Sequence, residues 1–515
     1  MSPSSSLIPL TLRDCFPDGI LNPILYIQYT RRRRRRAESF RVLNDIIASR
    51  VSKHKQKLVE KNSRSVASFR SRSTKKYKIL VRDSDGILQQ IQPKDTLWYL
   101  LYINTAPSCS RLKKLFRNRF RLTHASFLSL VEEIKASPLF DRWKRPDCTG
   151  ESSSDIQLLL LGSLRYIGRG FTFDDIEEAT AISAEVHRVF FHVFLKYGST
   201  VLYKKHVTDH VSNTDPSEWS SLFEMAGFNG CIGSTDATHV GMLKCSSWAS
   251  NFHKGHKLNV PSRTFNTTVS HTRQILGTTF GHPATWNDKT IILYDEMVRK
   301  VNDGQLYDKH NFKLMEKKDD GEIVEVEYKG VWFMVDNGYL AWSCTVPPIK
   351  NGITYDEIRF SQWLESMRKD VECTFGILKG RFCILRYGIR LQSIEKCDQV
   401  YLPCCALHNR LLFVDGLHKD WKEGRKSDWE ISYEREEPSA LYRLNHVPGI
   451  GDTETIFAGS EMNNICYEKY EVDRKRIVSK MPLNLFQNRL VHHFNIRFEK
   501  QSIKWPVRLK TPTVY

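Results

Sequence analysis

The sequence has no hydrophobic run long enough to cross a membrane. A transmembrane helix needs about 20 consecutive, mostly apolar residues, and no window in the 515 residues approaches that length without interruption. The six arginines Arg31–Arg36 do not begin a secretory signal, because no apolar segment follows them. We therefore expect no association with a membrane.

Cysteine is scattered through the chain and follows no repeated spacing. The 12 cysteines do not form the pattern of a small disulfide-stabilised secreted protein, so we expect a reduced, intracellular compartment. Cys404, Cys405 and His408 lie close together and suggest a zinc site, but the chain offers no matching C-x-x-C or H-x-x-x-H pair. We favour a buried core helix for this segment.

Acidic residues are too few to balance the basic ones. The chain has 77 Lys and Arg residues against 58 Asp and Glu residues, which leaves a net charge of +19. Such an excess indicates a polyanionic partner, and nucleic acid fits best. The run Arg31–Arg36 is typical of a nuclear import signal or a phosphate-binding arm, and the alternative is a solvated charge run. We expect a nuclear protein.

Composition and periodicity divide the chain into four parts. Residues 1–90 are basic and rich in serine, and we predict that they are largely disordered. Residues 95–205 have the three- and four-residue apolar spacing of helices. Residues 228–412 combine strand-like and helical segments, which predicts a mixed α/β domain. Residues 413–515 form a C-terminal extension without strong periodicity, and no structure is predicted for it.

Two short helices are predicted near the end of the helical part. Thr172 and Asp175 have the spacing of a capping box, and Ser183 can cap the next helix. The pair has the proportions of a helix-turn-helix unit. The alternative is two helices of an ordinary bundle, since the second helix offers only His187, Arg188 and Lys196 as basic residues.

Two predicted strands carry acids. Three short, β-branched segments from Cys231 onward predict successive strands, and Asp236 lies in the first of them. The apolar run Val331–Val335 predicts a buried strand that ends at Asp336 and is followed by an Asn-Gly turn. An aspartate at such a junction can simply accept local hydrogen bonds. It can also meet another acid.

A long predicted helix supplies the third acid. Its apolar stripe faces the sheet, and Glu372 lies at the margin of that stripe, with Glu365 as the competing candidate. Asp336 and Glu372 are separated by 35 residues. Phosphoryl transfer on nucleic acid needs carboxylates that hold two Mg²⁺ ions about 4 Å apart. Acids on two strands and one helix can meet this need.

Five motifs in fixed order resemble a known family. They are "STDATH", "GHPATWNDKTI", "VDNGYL", "DVECTFGILKGRF" and "CCALHN". Together they resemble PIF/Harbinger-type DDE transposases and their domesticated relatives, the Harbinger transposase-derived nucleases. The resemblance extends from about Phe120 to Leu412. The segment Asn302–Glu327 departs from the family pattern, and we expect it to be a loop.

The resemblance implies a fold, a site and cofactors. The fold is an RNase H-like DDE endonuclease core, a mixed sheet flanked by helices, which follows an all-α helix-turn-helix-like domain. Asp236, Asp336 and Glu372 would be the catalytic, metal-binding triad, with two Mg²⁺ or Mn²⁺ ions. Asp288 matches a further family acid and would be a fourth metal ligand. The alternative for Asp288 is the N-cap of the helix that begins there.

The resemblance also implies an activity. The protein would cleave double-stranded DNA hydrolytically at the terminal inverted repeats of a transposon, and the freed 3′ hydroxyl would then attack target DNA. A separate Myb/SANT-like protein would share the recognition of the ends, and a homo-oligomer is compatible with this activity. The alternative is a domesticated DNA-binding or scaffold protein that keeps the DDE fold and no longer transposes.

Basic residues near the acids are candidate phosphate contacts, and a solvated surface is the alternative. They are Lys254, His256, Lys257 and Arg263 in one loop and Lys379, Arg381 and Arg386 beyond Glu372. His239, three residues after Asp236, could approach a metal or a phosphate. We favour a hydrogen-bonded strand histidine there, because Mg²⁺ sites prefer oxygen.

Overall fold

The computed structural model describes residues 80–82, 88–104, 109–146, 153–418 and 475–505. All of them belong to the compact unit Lys78–Tyr515. The arginine run and most of the predicted N-terminal arm lie outside the described residues. At the start of the described part, strand β1 (Leu80–Arg82) pairs antiparallel with strand β2 (Leu88–Gln90).

Helices precede the main sheet, as the apolar spacing predicts. They are α1 (Ser110–Phe120), α2 (His124–Ala136), α3 (Ile156–Arg169), α4 (Phe173–Thr180), α5 (Ala184–Tyr197), α6 (Asp209–Asn213) and α7 (Ser217–Met225). Between α5 and α6 the chain winds through two π-helical turns, Gly198–Leu202 and Lys204–Thr208. Helices α1 to α5 share one apolar core with the sheet and with the helix that contains "CCALHN".

The predicted capping box on α4 is confirmed. Thr172 Oγ1 accepts a hydrogen bond from the Asp175 amide at 3.2 Å, and Asp175 Oδ2 accepts one from the Thr172 amide at 2.8 Å. The predicted role of Ser183 is wrong in detail. Ser183 precedes α5, but its side chain caps nothing, because the Glu177 carboxylate already accepts from the Ala184 amide at 2.7 Å.

The main sheet is mixed. Its strands follow the order β10-β9-β3-β4-β5, and β6 pairs with β4 at the other end of that strand. The strands are β3 (Cys231–Gly241), β4 (Ser262–Val269), β5 (Ile275–Thr278), β6 (His282–Pro283), β9 (Trp332–Met334) and β10 (Thr345–Val346). Strand β4 is antiparallel to both β3 and β5, whereas β9 and β10 continue the sheet in parallel. The three strands predicted from Cys231 onward are therefore confirmed.

Helices flank this sheet. They are α8 (Ser247–His253), α9 (Asp288–Ile291), α10 (Glu296–Asn302), α11 (Tyr355–Arg381), α12 (Cys383–Tyr387) and α13 (Ile394–Val414). A capping box of Thr354 and Glu357 starts α11. The predicted apolar stripe of α11 is buried from Phe360 to Leu378. Among the described residues, none of these helices combines the length and apolarity that a membrane crossing requires.

The prediction of a loop from Asn302 to Glu327 is wrong. This segment contains a β-hairpin of β7 (Asn311–Lys317) and β8 (Ile323–Lys329). Burial alternates along β7, because Phe312 and Leu314 face the core while Lys313 between them faces solvent. Strand β11 (Lys475–Ile477) adds to β8 in parallel.

The C-terminal part of the chain contributes to the core. Helix α14 (Leu483–Glu499) packs Phe486, Leu490 and Phe494 into the same apolar cluster as Trp332 of β9 and Phe360 of α11. The residues that the sequence analysis left without a predicted structure therefore support the strand that leads to Asp336 and the helix that carries Glu372.

We expect Phe486→Ala to destabilise the whole α/β core. Truncating a fully buried phenylalanine typically costs about 3–5 kcal/mol, and Phe486 is 0% exposed. Urea unfolding should show this loss, whereas Asn488→Ala on the exposed face of the same helix should change stability by less than about 0.5 kcal/mol. Equal, small effects of both substitutions would show that α14 is not part of the core.

Candidate acidic site at the sheet edge

Asp236 lies on the central strand of the sheet. It pairs with Thr267 of β4, and the first half of β3 runs parallel to β9. Along β3 only Asp236 and His239 are not fully buried, and the Asp236 side chain is 17% exposed. Its Oδ1 accepts a hydrogen bond from the Ala237 amide at 2.7 Å. A carboxylate is thus held rigidly in a largely buried position.

Asp336 follows the end of β9. Its Oδ1 accepts a hydrogen bond from the Gly338 amide at 2.8 Å, so the local turn bond expected of such an aspartate is present. The same turn also brings in a second acid. A Cβ atom on Gly338 would lie 2.9 Å from Asp336 Oδ1 and 3.1 Å from Asp288 Oδ2. Gly338 therefore lets the two carboxylates approach each other.

Asp288 is not the N-cap of its helix. That role belongs to Asn287, whose Oδ1 accepts a hydrogen bond from the Thr290 amide at 2.9 Å. Asp288 is the first helical residue, and its side chain points to the turn after β9. Burial raises the pKa of Asp288, Lys257 opposes this rise, and Asp336 adds to it.

Arg368 of α11 joins the remaining acids. Its Nη1 donates to Asp236 Oδ2 at 3.1 Å, and its Nη2 donates to Glu372 Oε1 at 3.0 Å. Nη2 also donates to Glu365 Oε2 at 3.3 Å. Arg368 is four residues before Glu372 and three after Glu365, so all three side chains share one face of the helix. Both candidates for the third acid therefore contact the same guanidinium group.

Burial makes the negative charge at this edge costly. It raises the pKa of Asp236 to about 6, although the positive charges of Arg368 and Lys257 act in the opposite direction and Asp336 raises the value further. Burial also acts against the charged form of Arg368. The carboxylates of Asp236, Glu365 and Glu372 outweigh it, so the pKa of Arg368 is raised. The guanidinium stays charged and stabilises Asp236 as an anion.

A buried chain of hydrogen bonds supports the acids. The Tyr339 hydroxyl donates to Asn266 Oδ1 at 2.7 Å, and the Asn266 amide donates to Asp295 Oδ2 at 2.7 Å. Burial, together with the nearby carboxylates, raises the pKa of Tyr339 well above its usual range. The sequence analysis missed Tyr339 and Arg368. Both residues could have been found from their positions in the sequence, because Tyr339 is in "VDNGYL" and Arg368 precedes Glu372 by one helical turn.

Two of the predicted phosphate contacts lie at this site. The charge of Lys257 lowers the pKa of both Asp236 and Asp288. Burial and the nearby Lys257 lower the pKa of Lys379 to about 8. Lysines 257 and 379 therefore form a positive rim beside the acids.

Two other predicted contacts have structural roles instead. Arg381 is buried on the core side of α11 and bonds His408 Nδ1 at 3.0 Å. Arg263 is buried in an ion pair with Asp398 at 2.8 Å. A basic residue near the acids in sequence can therefore face the interior, because the rotation of its helix or strand decides its direction.

The histidines near the motifs also have local hydrogen-bond partners. His239 Nδ1 lies 3.0 Å from Thr264 Oγ1 on the neighbouring strand, and burial lowers its pKa to about 4, with help from Lys257. These contacts agree with a strand histidine. Cys404, Cys405 and His408 are buried in α13, which confirms the core-helix interpretation.

The acids fit a hard divalent cation in ligand type, since Mg²⁺ prefers oxygen ligands. However, within the described ranges no group of three or more His, Cys, Asp or Glu side chains is arranged to hold a metal ion. The reason is visible in the contacts. Asp236 and Glu372 are turned to Arg368, whereas Asp288 and Asp336 face each other across Gly338. A shared set of three ligands would require Arg368 to move.

A comparison with known protein families gives one match. Residues 211–434 match the family model described as plant transposon protein. This range contains all four acids as well as Arg368, Lys257 and Tyr339. The match supports a transposase-related family. Neither a curated protein nor a solved structure matches the chain.

Asp236 should impose a measurable pH dependence on stability. Its pKa is about 6 in the folded state against 3.8 as the usual value, so the folded state binds the proton more tightly. The stability from this proton is present below pH 4 and is lost as the pH rises through about 6. With about 1.4 kcal/mol for each unit of pKa, the loss reaches up to about 3 kcal/mol.

Urea unfolding in EDTA from pH 4 to pH 7 measures this effect. Asp236→Asn cannot ionise, so the difference in unfolding free energy between the variant and the wild type should grow in favour of the variant as the pH rises. A difference that does not change with pH would contradict the burial of an ionisable Asp236.

Proposed function

We propose that the protein is a divalent-metal-dependent DNA endonuclease and strand transferase of PIF/Harbinger type. One observation carries the proposal. Asp236 and Glu372 both bond Arg368, Asp288 and Asp336 both lie near Gly338, and the charge of Asp336 acts on both Asp236 and Asp288, so acids from separate elements lie near one another within the segment that matches the plant transposon protein family. A structural role alone does not explain why acids lie near one another where burial already opposes the charges of Asp236 and Asp288.

An RNase H-like core is the fold we propose. Three antiparallel strands continue into parallel β9, and the acids lie on central β3, directly after neighbouring β9, and on helix α11. This combination supports the arrangement that the DDE resemblance implies. It gives Asp236 and Asp336 a rigid spacing, because both depend on adjacent strands.

Asp236, Asp336 and Glu372, with Asp288 as a fourth ligand, would hold two Mg²⁺ or Mn²⁺ ions. Bound ions of this kind lower the pKa of an attacking water or hydroxyl group and neutralise the leaving oxygen. The chain's own residues would do the rest. Lys257 and Lys379 would bind the phosphate that reacts, and the buried Tyr339–Asn266 pair would hold the floor of the site in place.

The reaction would have two steps on double-stranded DNA. In the first, water attacks a phosphodiester at the transposon end, a P–O bond to the water oxygen forms, the bond from phosphorus to the 3′ oxygen breaks, and the two ends are a 3′ hydroxyl and a 5′ phosphate. In the second, that hydroxyl attacks a phosphodiester of the target, so one P–O bond forms and one breaks. We propose that this occurs in the nucleus and that a Myb/SANT-like protein helps to recognise the ends.

A second candidate function is a domesticated DNA-binding or scaffold protein that retains the fold. The observation in its favour is the position of Arg368, which satisfies Asp236 and Glu372 without any metal. The two candidates differ in whether these acids can exchange the guanidinium group for divalent cations.

Nicking of a supercoiled plasmid in Mn²⁺ separates the candidates. We expect metal-dependent nicking by the wild type and a loss of at least about a hundredfold in Asp336→Asn, because the substitution removes an anionic ligand. Asp303→Asn, an exposed aspartate after α10, is the matched control and should keep full activity. A wild type that binds DNA and does not nick it would support the domesticated protein.

A second comparison identifies the third acid. Glu372→Gln and Glu365→Gln each remove one contact of Arg368 and change the same functional group. We expect Glu372→Gln to abolish nicking and Glu365→Gln to keep it within a few fold. Thermal unfolding of both variants, with and without Mn²⁺, should show stabilisation by the metal in Glu365→Gln only. The reverse result would assign the ligand to Glu365.

A further inference from the structure

A basic cleft lies apart from the acids, between α5 and the segment that leads into α13. Its volume is about 470 Å³, within the range of binding pockets. Five basic residues line it, and no Asp or Glu side chain does. They are Arg188, His192, Lys244, Arg390 and Lys396.

The positive charge of the cleft is poorly neutralised. Lys244, Arg390 and Lys396 form no ion pair with another described residue. Arg188 is paired with Glu185 at 2.5 Å. Hydrogen bonds from Thr172 lower the pKa of Asp175, and the charge of Arg390 contributes to this shift. The Asp175 carboxylate is already occupied in the capping box of α4. Three cations therefore remain for a ligand.

His192 lies among these charges. Burial, together with the positive charges of Lys396 and Arg188, lowers its pKa to about 4. The imidazole is consequently neutral at physiological pH. Its Nδ1 has no hydrogen-bond partner among the described residues, so the ring adds an unused polar group to a cationic cleft.

The start of α13 faces the same space. Ser393, its N-cap, and Lys396 in its first turn both line the cleft. The dipole at the start of this 21-residue helix favours a bound anion. The cationic side chains and the helix start thus favour the same class of ligand, an anion.

The cleft also bears on the helix-turn-helix prediction. Arg188 and His192 lie one turn apart on α5, and that face borders the cleft opposite the 390–396 segment. His187, the other predicted basic contact, is buried and bonded to Thr180. A helix with this face partly covered by its own chain is poorly placed to enter a major groove, but it can contact a single backbone.

We propose that this cleft binds backbone phosphates of DNA without reading base sequence. A phosphate ligand follows from the cleft itself, and the choice of DNA rests on the proposed function. The cleft would fix the position of the duplex relative to the acidic site, as phosphate contacts generally do.

Fluorescence anisotropy with a DNA duplex of arbitrary sequence, in EDTA and over a series of salt concentrations, tests the proposal. The test variant is Lys244→Gln, Arg390→Gln, Lys396→Gln. The slope of log affinity against log salt is negative, and each lost phosphate contact should reduce its magnitude by about 0.9. We therefore expect the magnitude of the slope to fall by about 3 in the variant. At 0.1 M salt the affinity should fall on the order of a hundredfold.

The matched control is Lys309→Gln, Lys317→Gln, Lys500→Gln. It removes the same charge from exposed positions on the hairpin side and after α14, and it should keep nearly the wild-type slope. Equal melting temperatures would establish that both variants fold. If both triple variants weaken binding equally, the cleft is not a specific phosphate site and the proposal is wrong.

Two further measurements separate the sources of failure. If the wild type binds DNA through the cleft in EDTA but does not nick a plasmid in Mn²⁺, the proposed function alone is wrong. Binding of inorganic tripolyphosphate that is lost in the cleft variant, together with unchanged DNA binding, would instead identify a small polyphosphate as the ligand and overturn the DNA proposal.

Discussion

Several carboxylates share one partly buried edge of a sheet, and this arrangement needs positive charge close by. Burial raises the pKa of Asp236 and of Asp288, and the nearby Asp336 adds to both increases. Arg368 supplies the nearest compensation and ties α11 to the central strand through Asp236. The packing of α11 against β9 and α14 matters because it sets where this guanidinium group lies.

The same charge balance connects the structure to its proposed chemistry. In the proposed function, these acids would exchange the guanidinium group for divalent ions, and the free-energy difference between the two states would set the affinity for metal. With Arg368 in place, the acids are divided into two pairs, and no set of three forms among the described residues. In the proposed function, Lys257 and Lys379 would attract the phosphate backbone in either state.

Much of the core could be predicted because local pattern and tertiary environment agree there. The strands from Cys231 onward are rich in β-branched residues, and the α11 stripe has helical spacing. The β7–β8 hairpin was missed because β7 has only two apolar core residues, Phe312 and Leu314, and its next buried position is the charged Glu316. Arg368 was missed because the rotation of α11 and the position of Asp236 decide its contacts, and neither is local. The sequence was enough to propose Asp288 as a metal ligand. The alternative, that Asp288 is the N-cap of its helix, is excluded only by the structure, in which Asn287 has that role.

A crystal soaked in Mn²⁺ and measured for anomalous scattering tests the central claim most directly. The account predicts a peak about 2–2.5 Å from carboxylate oxygens of Asp236 and Asp336, with the guanidinium group of Arg368 displaced from Asp236. Absence of any such peak at high Mn²⁺, with Arg368 still bridging Asp236 and Glu372, would contradict it.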